Sequence, residues 1–124
     1  MERSTRQRAA IIRVLEEVAR PLSPQELLEE ARGDVPGLGI ATVYRTVRAL
    51  VDEGSVQTVD LPGEPARYER AGTSHHHHFR CLQCDRVFEV AGCPKGIRDI
   101  VPRGFALEAH ELVLYGTCRA CRAA

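Results

Sequence analysis

Two pairs of cysteines, each with a two-residue gap, constrain the folding of this 124-residue chain more than any other feature. They are Cys81-Leu82-Gln83-Cys84 and Cys118-Arg119-Ala120-Cys121, with 33 residues between them. A two-residue gap lets both sulfurs of a pair reach one ion, and two such pairs in a small chain are typical of a four-thiolate zinc site. A thioredoxin-type redox pair and two disulfides are the alternatives, and the second is disfavoured in the cytoplasm. We therefore predict structural Zn²⁺ bound by Cys81, Cys84, Cys118 and Cys121.

The rarer residues divide the chain into two parts. All five cysteines and all five histidines lie beyond residue 74, whereas residues 1–60 contain neither type. A length of 124 residues suits one domain or two very small ones. A unit of about 60 residues buries little core and needs a metal, disulfides or a partner subunit. We therefore predict two units, the second of which is organised by metal chemistry.

Composition narrows the class of protein. The chain is 44% hydrophobic and 27% charged, which indicates a globular protein rather than a disordered one. No apolar run approaches the roughly 18 residues of a membrane span, and no apolar stretch follows the basic N-terminus as in a secretion signal. We expect a cytoplasmic protein without a membrane partner. A formal net charge of zero argues against nucleic acid as a partner, but four arginines cluster within residues 3–13, so local distribution matters more than the sum.

The first half of the chain has the pattern of three helices and a hairpin. Apolar residues at helical spacing predict a helix over 5–19, and Ser23-Pro24-Gln25-Glu26 is a strong start signal for a second. A third helix is predicted from about 41 to 53 and ends at Gly54. Residues 56–61 and 67–69 then predict two short strands. Three helices and a hairpin within about 70 residues form a winged helix-turn-helix, whose last helix enters the DNA major groove.

Polar residues of the third helix are the candidates for reading DNA. Arg45 can reach a guanine edge or a phosphate, and Tyr44 can pack on a thymine methyl group. Arg8, at the start of the first helix, is placed to contact backbone phosphate. The candidate set is Arg8, Thr42, Tyr44, Arg45 and Arg48. The alternative is that these residues form the solvated faces of an ordinary helical bundle.

Four consecutive histidines, residues 75–78, precede the first cysteine pair. Alternate side chains of a strand share a face, so His75 and His77 would point one way and His76 and His78 the other. One strand could thus supply two metal centres, with co-ligands among Glu69, Glu89, Cys93 and His110. The alternative is a solvated polar strand.

The rest of the second half predicts a small α/β unit. Residues 75–82 and 86–90 form a strand pair, Pro94 opens a helix over residues 97–101, and a final strand runs over 105–115. A three-stranded sheet with one helix leaves an apolar face. We expect a second copy of the chain to cover this face, which makes the protein a homodimer.

Four motifs together resemble the ferric uptake regulator family: ATVYR (41–45), HHHHFRCLQC (75–84), Phe88-Glu89 and LYGTCRAC (114–121). The resemblance implies an α+β fold with a winged-helix DNA-binding domain (1–69), a hinge (70–74) and a dimerisation and metal-binding domain (75–124) that holds structural zinc. It implies a metal-dependent transcriptional repressor that binds palindromic operators as a dimer. It implies no enzymatic activity and no small-molecule substrate.

The resemblance also assigns residues by position. Arg8, Tyr44 and Arg45 match DNA contacts, and the four paired cysteines match structural zinc ligands. Glu69, His76, His78 and Glu89 match a sensing site near the hinge. His75, His77 and His110 match a further site in the dimerisation domain, where Cys93 falls close to the position of a glutamate that this chain lacks. We therefore predict that His75, His77, Cys93 and His110 form that second site.

The types of ligand narrow the choice of regulatory metal without fixing it. The imidazoles and Cys93 favour Zn²⁺, with Fe²⁺ and Mn²⁺ as alternatives. A peroxide-sensing repressor of the same family is one other interpretation. A zinc storage or delivery module is another, although it would not need the helix-turn-helix half. A metal-dependent hydrolase would need an open coordination position and a pocket with a general base, for which the chain is too small.

Overall fold

The computed structural model describes residues 2–72 and 77–124. It divides into two units, Met1–Thr73 and Ser74–Ala124. The first unit contains α1 (Glu2–Glu17), α2 (Pro24–Ala31), α3 (Ile40–Asp52), β1 (Val56–Val59) and β2 (Arg67–Arg70). The second contains β3 (His77–Cys81), β4 (Val87–Val90), a 3₁₀ helix (Ile97–Ile100), β5 (Val113–Gly116) and α4 (Arg119–Ala123). Within the described ranges, no helix combines the length and the apolar character needed to cross a membrane.

A single apolar core holds the first unit together. Each of its three helices contributes one stripe of side chains, and the stripes meet. The main buried residues are Ala10, Ile11, Val14 and Leu15 of α1, Leu27, Leu28 and Ala31 of α2, and Val43, Val47 and Leu50 of α3. The predicted helices are confirmed, with α1 beginning three residues earlier than its apolar spacing indicated. At its end, α3 is followed by Gly54 at φ 84°, where a residue without Cβ is favoured.

The start of α2 is fixed by a capping box. Ser23 Oγ accepts the backbone N–H of Glu26 at 3.1 Å, and the Glu26 carboxylate accepts the backbone N–H of Ser23 at 3.0 Å. Arg20 and Arg67 also donate to this carboxylate, at 2.8 and 3.3 Å. Because Arg67 lies on β2, Glu26 joins the beginning of α2 to the hairpin.

The hairpin forms the wing. β1 and β2 are antiparallel, with Val56 opposite Arg70 and Val59 opposite Arg67. Leu22 adds to the other edge of β2, since it exchanges two backbone hydrogen bonds of 2.8 Å with Tyr68. The three helices and this small sheet have the arrangement of a winged helix-turn-helix.

The second unit is a three-stranded sheet in the order β4-β3-β5. β3 is antiparallel to β4 and parallel to β5, and residues 91–112 make the crossover between β4 and β5. Two predictions are corrected here. The helix expected after Pro94 is only the 3₁₀ turn Ile97–Ile100, and the last strand begins at Val113 rather than at residue 105. Gly96 and Gly104 adopt positive φ, which interrupts regular structure in the crossover.

Few side chains of the second unit are buried. Within 77–124 they are His77, Cys81 and Val87, and two of these three carry potential metal ligands. A unit of this size without an apolar core needs another source of stability.

Candidate metal centre

The four paired cysteines meet at one end of the three-stranded sheet. Cys81 is the last residue of β3, Cys84 lies in the following turn, Cys118 precedes α4, and Cys121 lies on α4. Their sulfur atoms all lie within 4.8 Å of one another. Cys84 Sγ and Cys118 Sγ are 3.8 Å apart. Zn–S bonds of about 2.3 Å at tetrahedral angles place two sulfurs about 3.8 Å apart, so this spacing fits zinc.

The backbone prepares Cys81 to bind a cation. The N–H groups of Cys84 and Cys118 each donate to Cys81 Sγ at 3.4 Å. These hydrogen bonds lower the pKa of Cys81 to about 6, because they stabilise the thiolate. Burial, followed by the neighbouring thiols, raises the pKa of Cys121 to about 12. Four thiolates this close repel one another, and a divalent cation removes that penalty by binding all four.

An ion pair holds the turn that carries Cys84. Asp85 has φ 66°, the one positive value at a non-glycine position among the described residues. Its N–H donates to the carbonyl of Cys81 at 2.9 Å, and its carboxylate accepts from Arg80 Nε at 2.9 Å. Sequence reasoning missed these two residues, because nothing in their spacing marks them as supports of the cysteine site.

A second cluster lies apart from the cysteine pairs. His77 Nε2 is 3.2 Å from Cys93 Sγ and 3.2 Å from His110 Nε2, and the three ligand atoms lie within 4.8 Å of one another. His77 begins β3, whereas Cys93 and His110 lie on the crossover. We name this set the His77 cluster. His75, the fourth member predicted from the sequence, lies outside the described residues.

The set predicted near the hinge is only partly described. His78 and Glu89 are directly opposite each other on β3 and β4. Glu69 is buried in the first unit, where its carboxylate accepts a hydrogen bond of 2.7 Å from Gln57. His76 lies outside the described residues. This set stays a prediction.

Four of the five residues predicted to read DNA lie on one side of α3. Tyr44, Arg45 and Arg48 are exposed, while Val43 and Val47 on the opposite side are buried in the core. Arg45 Nη2 donates to Thr42 Oγ1 at 3.1 Å. The remaining predicted residue, Arg8 of α1, lies in an ion pair with a residue that follows α3.

The partner of Arg8 is Glu53, which sequence reasoning did not find. Arg8 Nη1 donates to Glu53 Oε2 at 2.9 Å, and Arg8 Nη2 donates to Glu53 Oε1. This two-pronged contact raises the pKa of Arg8 and holds the pKa of Glu53 below its usual value. A separation of 45 residues gives no sequence signal for such a pair.

The order of these features along the chain agrees with one known family. The model of the ferric uptake regulator family matches residues 2–115. The chain belongs to the ferric uptake regulator family. It is 36% identical over 123 residues to the zinc uptake regulation protein of Mycobacterium tuberculosis, an alignment that spans 97% of this chain and 95% of that protein. The ferric uptake regulation protein of Bacillus subtilis is 32% identical over 124 residues, covering 94% and 83% of the two chains.

The fold agrees with the same family. A zinc-bound manganese uptake regulator superposes with a TM-score of 0.76 at 32% identity, covering 90% of this chain and 87% of the other. The chain is therefore a metal-responsive regulator of the ferric uptake regulator family and not an enzyme. The names of these three relatives refer to zinc, iron and manganese, so membership does not by itself assign the metal.

Proposed function

We propose that this chain is a transcriptional repressor that binds palindromic operator DNA as a homodimer in the cytoplasm when Zn²⁺ occupies a regulatory site. The observation that carries this proposal is the His77 cluster, a second set of metal ligands in a chain that already has a complete four-cysteine site. The DNA-binding part is assigned to residues 1–69, the hinge to 70–74 and the dimerisation part to 75–124.

The two sets of ligands suit different tasks. Four thiolates fill the tetrahedral coordination of zinc and leave no position for exchange, which is typical of a structural site. The His77 cluster supplies three ligands from the described residues, and His75 is the fourth that we propose. Zinc bound there would connect the start of β3 to the crossover. Glu69, His76, His78 and Glu89 are proposed as the additional sensing set.

The first unit supports DNA binding. Tyr44, Arg45 and Arg48 are exposed on α3, whose other side is anchored in the core. In winged helix-turn-helix proteins this helix enters the major groove, and arginine recognises guanine edges or phosphates there. Arg8 and Thr42 complete the proposed contact set.

The second unit supports a homodimer. Large apolar side chains are exposed on it, including Ile100 (78%), Phe105 (71%) and Tyr115 (47%). A unit with so few buried side chains gains stability when a second copy covers such residues. Two copies would also present two α3 helices to the two halves of a palindrome.

Selection from a library of random DNA duplexes tests the proposal. The protein is equilibrated with the library in Zn²⁺, in Mn²⁺, in Fe²⁺ under anaerobic conditions, or in a chelator that leaves zinc in the four-cysteine site. We expect a palindromic sequence to be enriched with Zn²⁺ and not with the chelator. Arg45→Ala should abolish the enrichment, and Arg103→Ala, which removes an equal charge from the second unit, should preserve it. Equal enrichment with and without metal, or none in any condition, would refute the proposal.

A further inference from the structure

We propose that Cys93 determines which metal the His77 cluster selects, so that its thiolate favours Zn²⁺ over Mn²⁺. The inference deepens the proposed function, on which it rests for the regulatory meaning of the site.

The distances within the His77 cluster are close to those of a metal site. Zn–N bonds of about 2.0–2.1 Å and a Zn–S bond of about 2.3 Å place neighbouring tetrahedral ligands about 3.3 Å (N···N) and about 3.5 Å (N···S) apart. The His77–His110 and His77–Cys93 distances are both 3.2 Å. The His77 side chain is only 2% exposed, so its ring is already fixed by its surroundings. The ring centroids of His77 and His110 are 5.0 Å apart, and the ring planes are inclined to each other by 38°. This arrangement lets the Nε2 atoms of both rings point toward one ion.

The backbone around Cys93 presents its sulfur to the two imidazoles. Gly92 has φ 83°, a conformation that glycine adopts without strain. Pro94 restricts the residue before it to extended conformations. Pro94 therefore limits the backbone of Cys93, whose side chain is exposed on the crossover.

The surface next to His110 forms a depression. A cavity of about 550 Å³ borders this residue, with Asp99, Glu108 and Arg98 among its lining residues. Metal sites need an entry path from solvent. The two carboxylates line this cavity, and neither belongs to the ligand set.

Ligand chemistry makes Cys93 the residue that discriminates between metals. Imidazole binds zinc, iron, nickel and copper, so His77 and His110 do not by themselves separate the candidates. Carboxylate oxygen suits Mn²⁺, whereas thiolate suits zinc and other soft ions. A carboxylate at position 93 would therefore make the same cluster more permissive toward Mn²⁺.

The first experiment identifies the sulfur ligand by spectroscopy. Full-length protein that retains one Zn²⁺ per chain in the four-cysteine site is titrated with Co²⁺ as the probe. One thiolate bound to Co²⁺ gives a sulfur-to-cobalt charge-transfer band in the near ultraviolet, which nitrogen and oxygen ligands do not give. We expect this band in the wild type and its loss in Cys93→Ser and Cys93→Asp. A band that persists in both variants, or is absent from the wild type, would overturn the inference.

The second experiment measures selectivity. The relative affinity for Zn²⁺ and Mn²⁺ is determined by competition with a chromophoric chelator. We expect Cys93→Asp to shift the ratio toward Mn²⁺ by at least tenfold, whereas Cys93→Ser should weaken binding of both ions. A ratio unchanged within twofold in Cys93→Asp would contradict the proposal.

A third measurement does not depend on the folding of a variant. Iodoacetamide alkylates the wild-type protein, and mass spectrometry follows the peptide that contains Cys93. Added Zn²⁺ should slow its alkylation at least tenfold, and an unchanged rate would count against Cys93 as a ligand. None of the three measurements uses DNA. Failure of operator selection with a normal metal response would therefore refute the proposed function alone, and the reverse result would refute only the role of Cys93.

Discussion

At the scale of single residues, Glu53 competes with the partner that we propose for Arg8. The carboxylate engages two guanidinium nitrogens, which are the groups that would contact a DNA phosphate. Both side chains are exposed, so the pair contributes little to stability and can exchange with a phosphate. If Arg8 contacts a phosphate as we propose, we expect Glu53 to lower the affinity for DNA without preventing binding.

Substitution of Glu53 by Gln tests this competition. The change removes the negative charge and one strong acceptor, so less free energy is needed to free the Arg8 guanidinium for a DNA phosphate. We expect affinity for the duplex selected with Zn²⁺ to rise about two- to fivefold at low salt, and less at high salt because ionic contacts are screened. Fluorescence anisotropy at two salt concentrations measures the effect. Asp52→Asn removes an equal charge from the preceding residue and is the control, so an equal gain in both variants would contradict specific competition.

At the residue scale, the structure brings predicted ligand residues together where chemistry and spacing coincide. The two Cys-x-x-Cys pairs lie together as predicted, and so do His77, Cys93 and His110 of the second predicted set, whose fourth member, His75, lies outside the described residues. Glu53 and Arg80 escaped prediction because their roles depend on neighbours brought close only by folding. The reading of Cys93 as a ligand stays a prediction, although its sulfur lies 3.2 Å from His77 Nε2.

At the scale of elements, local signals predicted the first unit better than the second. The helices α1 to α3 carry their own periodicity, caps and stop signals, so each was found from a continuous stretch. The crossover between β4 and β5 has no such periodicity. The sequence predicted a strand from residue 105 onward, but β5 begins only at Val113, where it pairs with β3. Because β5 pairs with β3 in parallel, its start is set by a strand more than 30 residues earlier in the chain, and the residues around β5 do not by themselves determine it.

Glu26 offers a test of how α2 is attached to the wing. Glu26→Gln retains an oxygen that can accept the Ser23 N–H but removes the charge that pairs with Arg20 and Arg67. Arg67 is only 5% exposed and pairs with both Glu26 and Glu64, so loss of one of these charges is costly. We expect the free energy of unfolding of the first unit to fall by about 1–2 kcal/mol. Urea denaturation followed by far-ultraviolet circular dichroism measures this free energy. The control is Glu29→Gln, an exposed position of the same helix. If both substitutions had the same effect, Glu26 would not attach α2 to the wing in this way.

At the scale of the whole molecule, we propose that metal bound by the four cysteines stabilises the second unit, which has few buried side chains. Cys81→Ser removes the buried sulfur that accepts two backbone N–H groups and leaves three thiolates. We expect this variant to lose its structural zinc and the amide protection of β3 to β5. Cys93→Ser should keep both, since its side chain is exposed and outside the four-cysteine set. Zinc content per chain and amide hydrogen exchange measure the difference, and a comparable loss in the two variants would show that the clusters do not have separate tasks.

If the metal regulates DNA binding, the metal and the DNA must change each other's affinity for the protein by the same factor. If Zn²⁺ at the regulatory site raises operator affinity by a given factor, operator must raise Zn²⁺ affinity by the same factor. Couplings of this kind are typically about 5- to 150-fold, or about 1–3 kcal/mol. Two titrations measure it: operator binding with and without Zn²⁺, and Zn²⁺ binding with and without the selected duplex. We expect the two factors to agree, and Cys93→Ser to weaken Zn²⁺ binding to the His77 cluster. Factors that differ beyond error would mean that the bound metal is not linked to DNA binding through one equilibrium, and a factor of one in both titrations would leave the zinc without a regulatory role.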